Sequence, residues 1–233
     1  MPDRCFWEIA LLLEIPKVVA AGQLAIIRQL LANGRFVDGR QSAGITAGRV
    51  KHNRELDPEA PEVKRLNSLV LSSLYRHPTF RSAALPYRLS GAFFACYSEG
   101  MAYGDHVDDP VMGERERYRS DIAITVFLND AADYDGGELV IRTAFGDKAV
   151  KLPAGDAVIY PASSLHHVAS VTRGERLVAV AWSQSLVRDA AKRELLYELD
   201  SVRETLRRAM PEALVTAKVD HCYVNLVRLW AEV

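Results

Sequence analysis

Between Tyr87 and Trp182 the apolar residues come in short runs broken by glycine, proline and aspartate, whereas on either side they recur at the period of an α-helix. The short runs cover 89–97, 122–128, 138–142, 148–152, 157–160, 167–171 and 177–182. Short strands at regular spacing, bounded by turn residues, predict a double-sheet jelly roll. Upstream, Val18, Val19, Leu24, Ile27, Leu30 and Leu31 share one helical face between Pro16 and the Asn33-Gly34 stop. Asp57 to Glu62 opens a second predicted helix through about Tyr75, with Val63, Leu66, Leu69, Val70 and Leu74 on its apolar side. Downstream, Leu186, Val187, Ala190, Leu195, Leu199, Val202 and Leu206 support one long helix, and Leu214 to Trp230 another beyond Pro211. The expected fold is mainly β with flanking helices. It has a helical and β support region over 1–80, a double-stranded β-helix (jelly-roll) core over 81–185, and a C-terminal helical extension over 186–233.

With 233 residues and 49% hydrophobic content the chain can bury a substantial core, and it reads as one main domain with helical additions. A formal net charge of -1 leaves no electrostatic footprint for nucleic acid or a membrane surface, so neither is expected as a partner. Cys5, Cys96 and Cys222 are odd in number and far apart, which suits free thiols in a reducing compartment. The apolar run from Cys5 to Leu13 is interrupted by Glu8 and ended by Glu14, so it reads as a short strand or helix rather than a signal core. Nothing approaches the ~20 apolar residues of a spanning helix, and a cytoplasmic location is expected. The apolar stripe of the C-terminal helices should pack on its own domain, and it also leaves a homodimer seam open.

The chemistry concentrates in Tyr103-Gly-Asp-His-Val-Asp-Asp-Pro110. His106 and Asp108 are two residues apart, and in an extended chain such residues project from one face. A third ligand from a distant strand would complete a two-histidine, one-carboxylate set that leaves metal positions open, as in non-haem Fe(II) oxygenases. His166, in Tyr160-Pro-Ala-Ser-Ser-Leu-His-His167, is the best candidate. Asp105 and Asp109 lie at odd offsets from Asp108, so they should face away and are assigned to the rim; His167 should point opposite to His166. His52, His77 and His221 have no partner ligands nearby in sequence and read as surface or satisfied polar residues.

The stretch Thr172-Arg-Gly-Glu175 reads as a hairpin turn returning the chain beside the His166 strand, which would carry Arg176 toward the metal. The permanently charged planar fork of Arg176 suits the far carboxylate of a dicarboxylate whose near end chelates iron. The charged loop over 109–120 directly follows the first ligand pair. Its Arg115, Arg117, Tyr118 and Arg119 are therefore candidate substrate contacts at the mouth of the site.

Further segments recur in order: Phe36-Val-Asp-Gly-Arg40, Val50-Lys-His-Asn53, Tyr134-Asp-Gly-Gly-Glu-Leu139, Leu152-Pro-Ala-Gly-Asp156, Val171-Thr-Arg-Gly174 and Trp182-Ser-Gln-Ser185. With the His106 and His166 segments, they give a chain that resembles the PKHD-type hydroxylases from roughly Leu13 to its end. These are bacterial Fe(II)- and 2-oxoglutarate-dependent dioxygenases related to the prolyl hydroxylases. The resemblance implies that His106, Asp108 and His166 form a catalytic iron site and that Arg176 binds the distal carboxylate of 2-oxoglutarate. It also offers Tyr97 as a co-substrate contact, an assignment that competes with a core strand aromatic. Dioxygen would be the second co-substrate, succinate and carbon dioxide would leave, and ascorbate would keep the iron ferrous. Asp108 argues for hydroxylation over halogenation, because related halogenases lack that carboxylate. The chain departs from the pattern in a longer N-terminus and in Asp105, where an apolar or aromatic residue is more usual.

The substrate stays open between a peptidyl target and a small iron-uptake-related metabolite. Two other readings stand beside the hydroxylase. A different divalent metal in the triad could serve hydrolysis, which gives Arg176 no task. A non-catalytic sensor of iron and 2-oxoglutarate would use the same ligands without turning over a substrate.

Overall fold

The computed structural model describes residues 11–113 and 116–232. Strands β1 (Leu13–Ile15), β2 (Phe36–Asp38), β3 (Lys51–His52) and β4 (Arg54–Leu56) come first, with helix α1 (Ala21–Ala32) and the single turn α2 (Ile45–Gly48) between them. Helix α3 (Val63–Arg76) follows, burying Leu66, Val70 and Leu74 at helical spacing. His77 ends it, and Pro78, whose fixed φ suits a first turn, starts α4 (Pro78–Ala84).

The jelly roll is then laid down as β5 (Pro86–Leu89), β6 (Phe93–Tyr97), β7 (Ala102–His106), β8 (Val111–Met112), β9 (Tyr118–Arg119), β10 (Ile122–Phe127), β11 (Tyr134–Gly136) and β12 (Leu139–Thr143). It continues as β13 (Gly146–Val150), β14 (Ala157–Pro161), β15 (His166–Val168), β16 (Val171–Gly174) and β17 (Arg176–Ser185). Helices α5 (Ala190–Ala209) and α6 (Leu214–Trp230) close the chain. The Asp189 carboxylate caps α5 by accepting from the backbone N–H groups of Ala191 and Lys192.

The larger sheet has the order β1-β14-β10-β17-β6-β4-β2, with β5 also on β17; the smaller is β13-β12-β15-β7-β3. The strands from the N-terminal region are thus paired into both sheets and share their core. Strand β10 shows how the sequence builds two faces. Ile122, Ile124 and Val126 pack toward α1, α3 and α4, while Ala123 and Phe127 pack toward the smaller sheet. Both faces are covered, so the strand reads as an unbroken apolar run instead of alternating. Ile124 is fully buried, worth about 1.5–3 kcal/mol relative to exposure. A separate cluster of Leu85, Val187 and Leu196 with Tyr223, Leu226, Val227 and Trp230 anchors the C-terminal helix pair.

Two sequence expectations need correcting. The run 89–97 is not one strand but two, β5 and β6, because the chain bulges over Ser90–Ala92. Leu89 pairs with Ser183 and Phe93 with Val180, which leaves one extra residue on this side. Nor is Thr172–Glu175 a hairpin turn beside the His166 strand. Both edges of β15 are already occupied, by β12 and β7, so no returning strand can pair there. Instead Val171–Gly174 forms β16 on β11, and the chain then crosses to the larger sheet, where β17 lies between β10 and β6. Arg176 therefore enters from the sheet opposite His166. The apolar run over 5–13, including Cys5, lies largely outside the described residues; among those described, Cys96 and Cys222 are free. Among the described residues, no helix is long and apolar enough to cross a membrane.

Gly174 makes the crossing, with φ +73 and an added Cβ only 2.2 Å from the Asp133 carbonyl oxygen. Beyond it, the buried side chain of Asn129 accepts from Leu177 N–H at 2.9 Å and donates to the Glu175 carbonyl at 2.6 Å, holding the backbone on both sides of Arg176. Gly174→Ala should cost about 1–3 kcal/mol and lower the melting temperature by roughly 2–10 °C in calorimetry. An unchanged melting temperature would show that the crossing tolerates a side chain.

Candidate active site

His106 ends β7 and stands directly across from His166, the first residue of β15, with ring centroids 4.2 Å apart. Asp108 follows on extended chain, and its Oδ1 lies 3.9 Å from His166 Nε2. One ligand atom from each of the three lies within 4.8 Å of the others, and among the described residues this is the one such His/Cys/Asp/Glu cluster. His52, His77 and His221 stand outside it, as expected.

The surrounding hydrogen bonds point all three at a common centre. His106 Nδ1 is 2.8 Å from the Gly104 carbonyl and His166 Nδ1 is 3.0 Å from the Ser164 carbonyl. A carbonyl only accepts, so each Nδ1 carries a proton and each Nε2 is the nitrogen left to face a metal. Burial pushes the His106 imidazole down to about 4, with His166 adding to the effect, so it is neutral at pH 7. The Trp182 indole N–H donates to Asp108 Oδ2 at 2.8 Å, leaving Oδ1 turned toward His166. Burial pushes the Asp108 carboxyl up, while His166 and this indole bond act the other way. Tyr103 stacks on His106 at 3.6 Å between centroids, and Tyr160 meets His166 edge-on at 5.2 Å.

The opposite face of the same strands carries the residues assigned away from the metal. Asp105 and His167 lie on the outside of the smaller sheet, joined at 2.9 Å, with Asp105 also accepting from Arg142 at 2.6 Å. Asp109 departs from the expectation that it faces away: although exposed, it is among the residues that line the cavity.

Arg176 begins β17, opposite Tyr97 in register. Its guanidinium lies 5.0 Å from the Tyr97 ring centre and 5.7 Å from that of Phe127. The residue is 2% exposed, its Nε has no hydrogen-bond partner, and among the described residues no carboxylate pairs with it. Gly137 clears its path, since an added Cβ there would sit 3.2 Å from Arg176 Cδ. Burial pushes the Tyr97 phenol up to about 12, partly offset by the charge of Arg176, so it stays protonated as a donor. The triad, Tyr97 and Arg176 all line one cavity of about 1170 Å³ between the two sheets. Two histidines, a carboxylate and a buried, unpartnered guanidinium form a donor set that fits a divalent iron with a carboxylate-bearing chelator.

The sequence comparisons agree with this geometry. Residues 92–184 match the 2OG-Fe(II) oxygenase superfamily, and residues 190–232 match the PKHD-type hydroxylase C-terminal domain. A PKHD-type hydroxylase of Thioalkalivibrio sulfidiphilus is 60% identical over 96% of this chain and 100% of its own length. The chain belongs to the PKHD-type hydroxylases. The PKHD-type hydroxylase PiuC of Pseudomonas aeruginosa is 41% identical over 95% of this chain and 100% of its own. Among solved structures, a 2OG-Fe(II) oxygenase-family oxidoreductase of Burkholderia pseudomallei gives a TM-score of 0.54 at 17% identity, covering 73% of this chain and 84% of that one. A Pseudomonas putida prolyl-4-hydroxylase gives 0.51 at 19%, covering 75% and 92%. These two show the shared jelly-roll fold. As a PKHD-type hydroxylase the protein is a 2-oxoglutarate-dependent enzyme of a superfamily that uses Fe(II).

The 109–120 loop is only partly as expected. Tyr118 lines the cavity, with Arg88 over its ring at 5.4 Å. Arg119 does not line it, because its guanidinium is committed to Asp121, the Ser185 carbonyl and Glu232. Arg117 is exposed and outside the lining, and Arg115 lies outside the described residues. Sequence reasoning gave Trp182 no role, yet it stands at an even offset from Arg176 on β17 and so shares its face. The same period would have aligned Lys51, Asn53 and Glu55, which also line the cavity.

Trp182→Phe keeps an aromatic ring against Phe93 and removes the donor to Asp108. Affinity for Mn(II) or Fe(II), measured by calorimetric titration, should fall about 10–100-fold with the fold intact. Equal affinity in the variant would show that Asp108 is held in place without the indole.

Proposed function

We propose that His106, Asp108 and His166 hold Fe(II), that Arg176 and Tyr97 hold the distal carboxylate of 2-oxoglutarate, and that the protein hydroxylates a substrate bound along the rest of the cavity. The observation that carries this reading is Arg176. A guanidinium that is 2% exposed and lacks a carboxylate partner among the described residues is costly to bury, by several kcal/mol. A dicarboxylate co-substrate supplies the missing anion and also reaches the triad across the cavity from β17. Arg176 thereby fixes which end of the co-substrate faces the metal residues, and the aromatic rings of Tyr97 and Phe127 keep water from screening the ion pair.

When bound, Fe(II) and 2-oxoglutarate supply the oxidative chemistry: dioxygen is consumed, succinate and carbon dioxide leave, and a substrate C–H bond gains a hydroxyl. The two imidazoles and the one carboxylate would together hold the metal. The Trp182 bond to Oδ2 leaves Asp108 one oxygen for that position. Tyr103 and Tyr160 wall the histidines and exclude water from them. Ascorbate would act from solution as the reductant that keeps the iron ferrous. The cavity of about 1170 Å³ exceeds what 2-oxoglutarate fills, leaving room for a peptidyl segment or a small metabolite.

Anaerobic addition of Fe(II) and then 2-oxoglutarate to metal-free protein should raise a visible charge-transfer band. Asp108→Ala should abolish the band, and Arg176→Ala should raise the 2-oxoglutarate midpoint by at least about 30-fold, the consequence of losing one partner of a buried pair. A wild-type protein that gives no band would sink the reading.

A further inference from the structure

One wall of the cavity is apolar, accessible from solvent and set against the metal residues. Phe93, Val107 and Val111 line it at 39%, 48% and 52% exposure, with Met112, Tyr118 and Trp182 beside them. Large apolar side chains left accessible in a concave surface mark a ligand site. The bulge over Ser90–Ala92 is what aims Phe93 there. Continued without the extra residue, the pairing of Leu89 with Ser183 would set Ala92 opposite Val180; instead Phe93 takes that place, and Tyr97 meets Arg176. One inserted residue thereby turns Tyr97 to the co-substrate end of the cavity and Phe93 to its mouth, while Phe94 packs into the core beneath the helices. The Phe93 ring meets Trp182 edge-on, with centroids 5.8 Å apart and planes at 76°, and the Trp182 indole donates to Asp108. A group seated on these two rings therefore lies beside the metal residues.

A cation ends this wall. Arg88 stands across from Gln184, which lies two residues beyond Trp182 on the same face of β17, about 7 Å along the strand. Arg88 lines the cavity, its guanidinium 5.4 Å from the Tyr118 ring centre. Its partner is the Glu116 carboxylate, whose side chain is 79% exposed, and a pair so open to water contributes little. A ligand carboxylate held inside the mouth is screened less and takes the place of Glu116. The guanidinium fork matches that carboxylate, and an aromatic ring suits Phe93 and Trp182 better than an aliphatic one because its edge and face complement theirs. Resting on the iron and 2-oxoglutarate assignment above, we infer that the hydroxylated substrate is an aryl carboxylic acid, with its ring on Phe93 and Trp182 and its carboxylate on Arg88. Phe93 and Arg88 are the specificity-determining residues, and Glu116 competes with the substrate for Arg88.

The test adds probes to anaerobic protein loaded with Fe(II) and saturating 2-oxoglutarate and follows the shift of the visible band. Calorimetric titration of the Mn(II)-loaded protein reads the same affinities without that band. Phenylpropionate should bind at least about threefold tighter than cyclohexylpropionate and at least about fivefold tighter than phenylpropanol. Phe93→Leu should lose the first preference and Arg88→Gln the second, each with a 2-oxoglutarate midpoint within about twofold of the wild type. Glu116→Gln, which removes the competitor, should bind phenylpropionate about two- to fivefold tighter. N-Acetylphenylalanine offers the same two groups from a peptidyl chain end, and the acid that binds tighter names the source. The inference is overturned if the wild type lacks either preference, if Phe93→Leu and Arg88→Gln keep them, if Glu116→Gln weakens the acid, or if phenylpropionate abolishes the band by displacing 2-oxoglutarate. Should a variant fail to fold, the wild-type comparison alone decides. Absence of any band with 2-oxoglutarate refutes the iron and co-substrate assignment instead, and the calorimetric preferences then decide this inference separately.

Discussion

The antiparallel pairing of β7 with β15 is the constraint on which the site depends. Their register sets His106 opposite His166, so two imidazoles from distant parts of the chain face one point without either strand supplying more than one. A slip of one residue would turn His166 outward and His167 inward, because strand side chains alternate faces. The same alternation sends Asp105 and His167 to the outer surface, where they bond to each other. The inner cluster and the outer pair are thus two consequences of one register. The carbonyls of Gly104 and Ser164 then fix both imidazole tautomers.

Electrostatics divides the cavity into regions with different tasks. Lys51 and Glu55 are buried charges that neutralise each other, and they need nothing further from a ligand. Arg176 is buried to the same degree or more but is compensated only by the quadrupoles of Tyr97 and Phe127 and by the Tyr134 phenol nearby. An aromatic cradle lowers the cost of a buried cation without cancelling its charge, and so leaves it ready for an anion. The contrast is between a buried ion pair, Lys51 with Glu55, and a buried guanidinium, Arg176, with no carboxylate partner among the described residues.

The helices serve this arrangement from outside. One face of the larger sheet is covered by α1, α3 and α4, which lets β10 and β14 be apolar on both sides. Glu232, just beyond α6, reaches back to Arg119 at 3.4 Å, so the C-terminal helices tie down the end of the mouth loop. A side chain that looked free to meet a substrate in the sequence is thereby taken up by structure.

The sequence by itself determined the elements and the residues that cluster as a candidate metal site. The short apolar runs pointed to the jelly roll, the helical stripes to α1, α3, α5 and α6, and the His-x-Asp spacing with the distant His166 to the three residues that the structure brings together. These are local properties: which face a residue occupies depends on its neighbours one or two positions away, and a strand of alternating residues can be read wherever it occurs. What the tertiary structure alone decided is which sheet each strand joins. Arg176 was assigned to a hairpin beside His166, but β15 had both edges filled, so the chain crossed and the guanidinium arrived from the opposite sheet. Trp182 gained its contact in the same way, through Asp108, which lies far away in sequence. Pairing between strands is a competition among all edges of the molecule at once, and no local pattern carries its outcome.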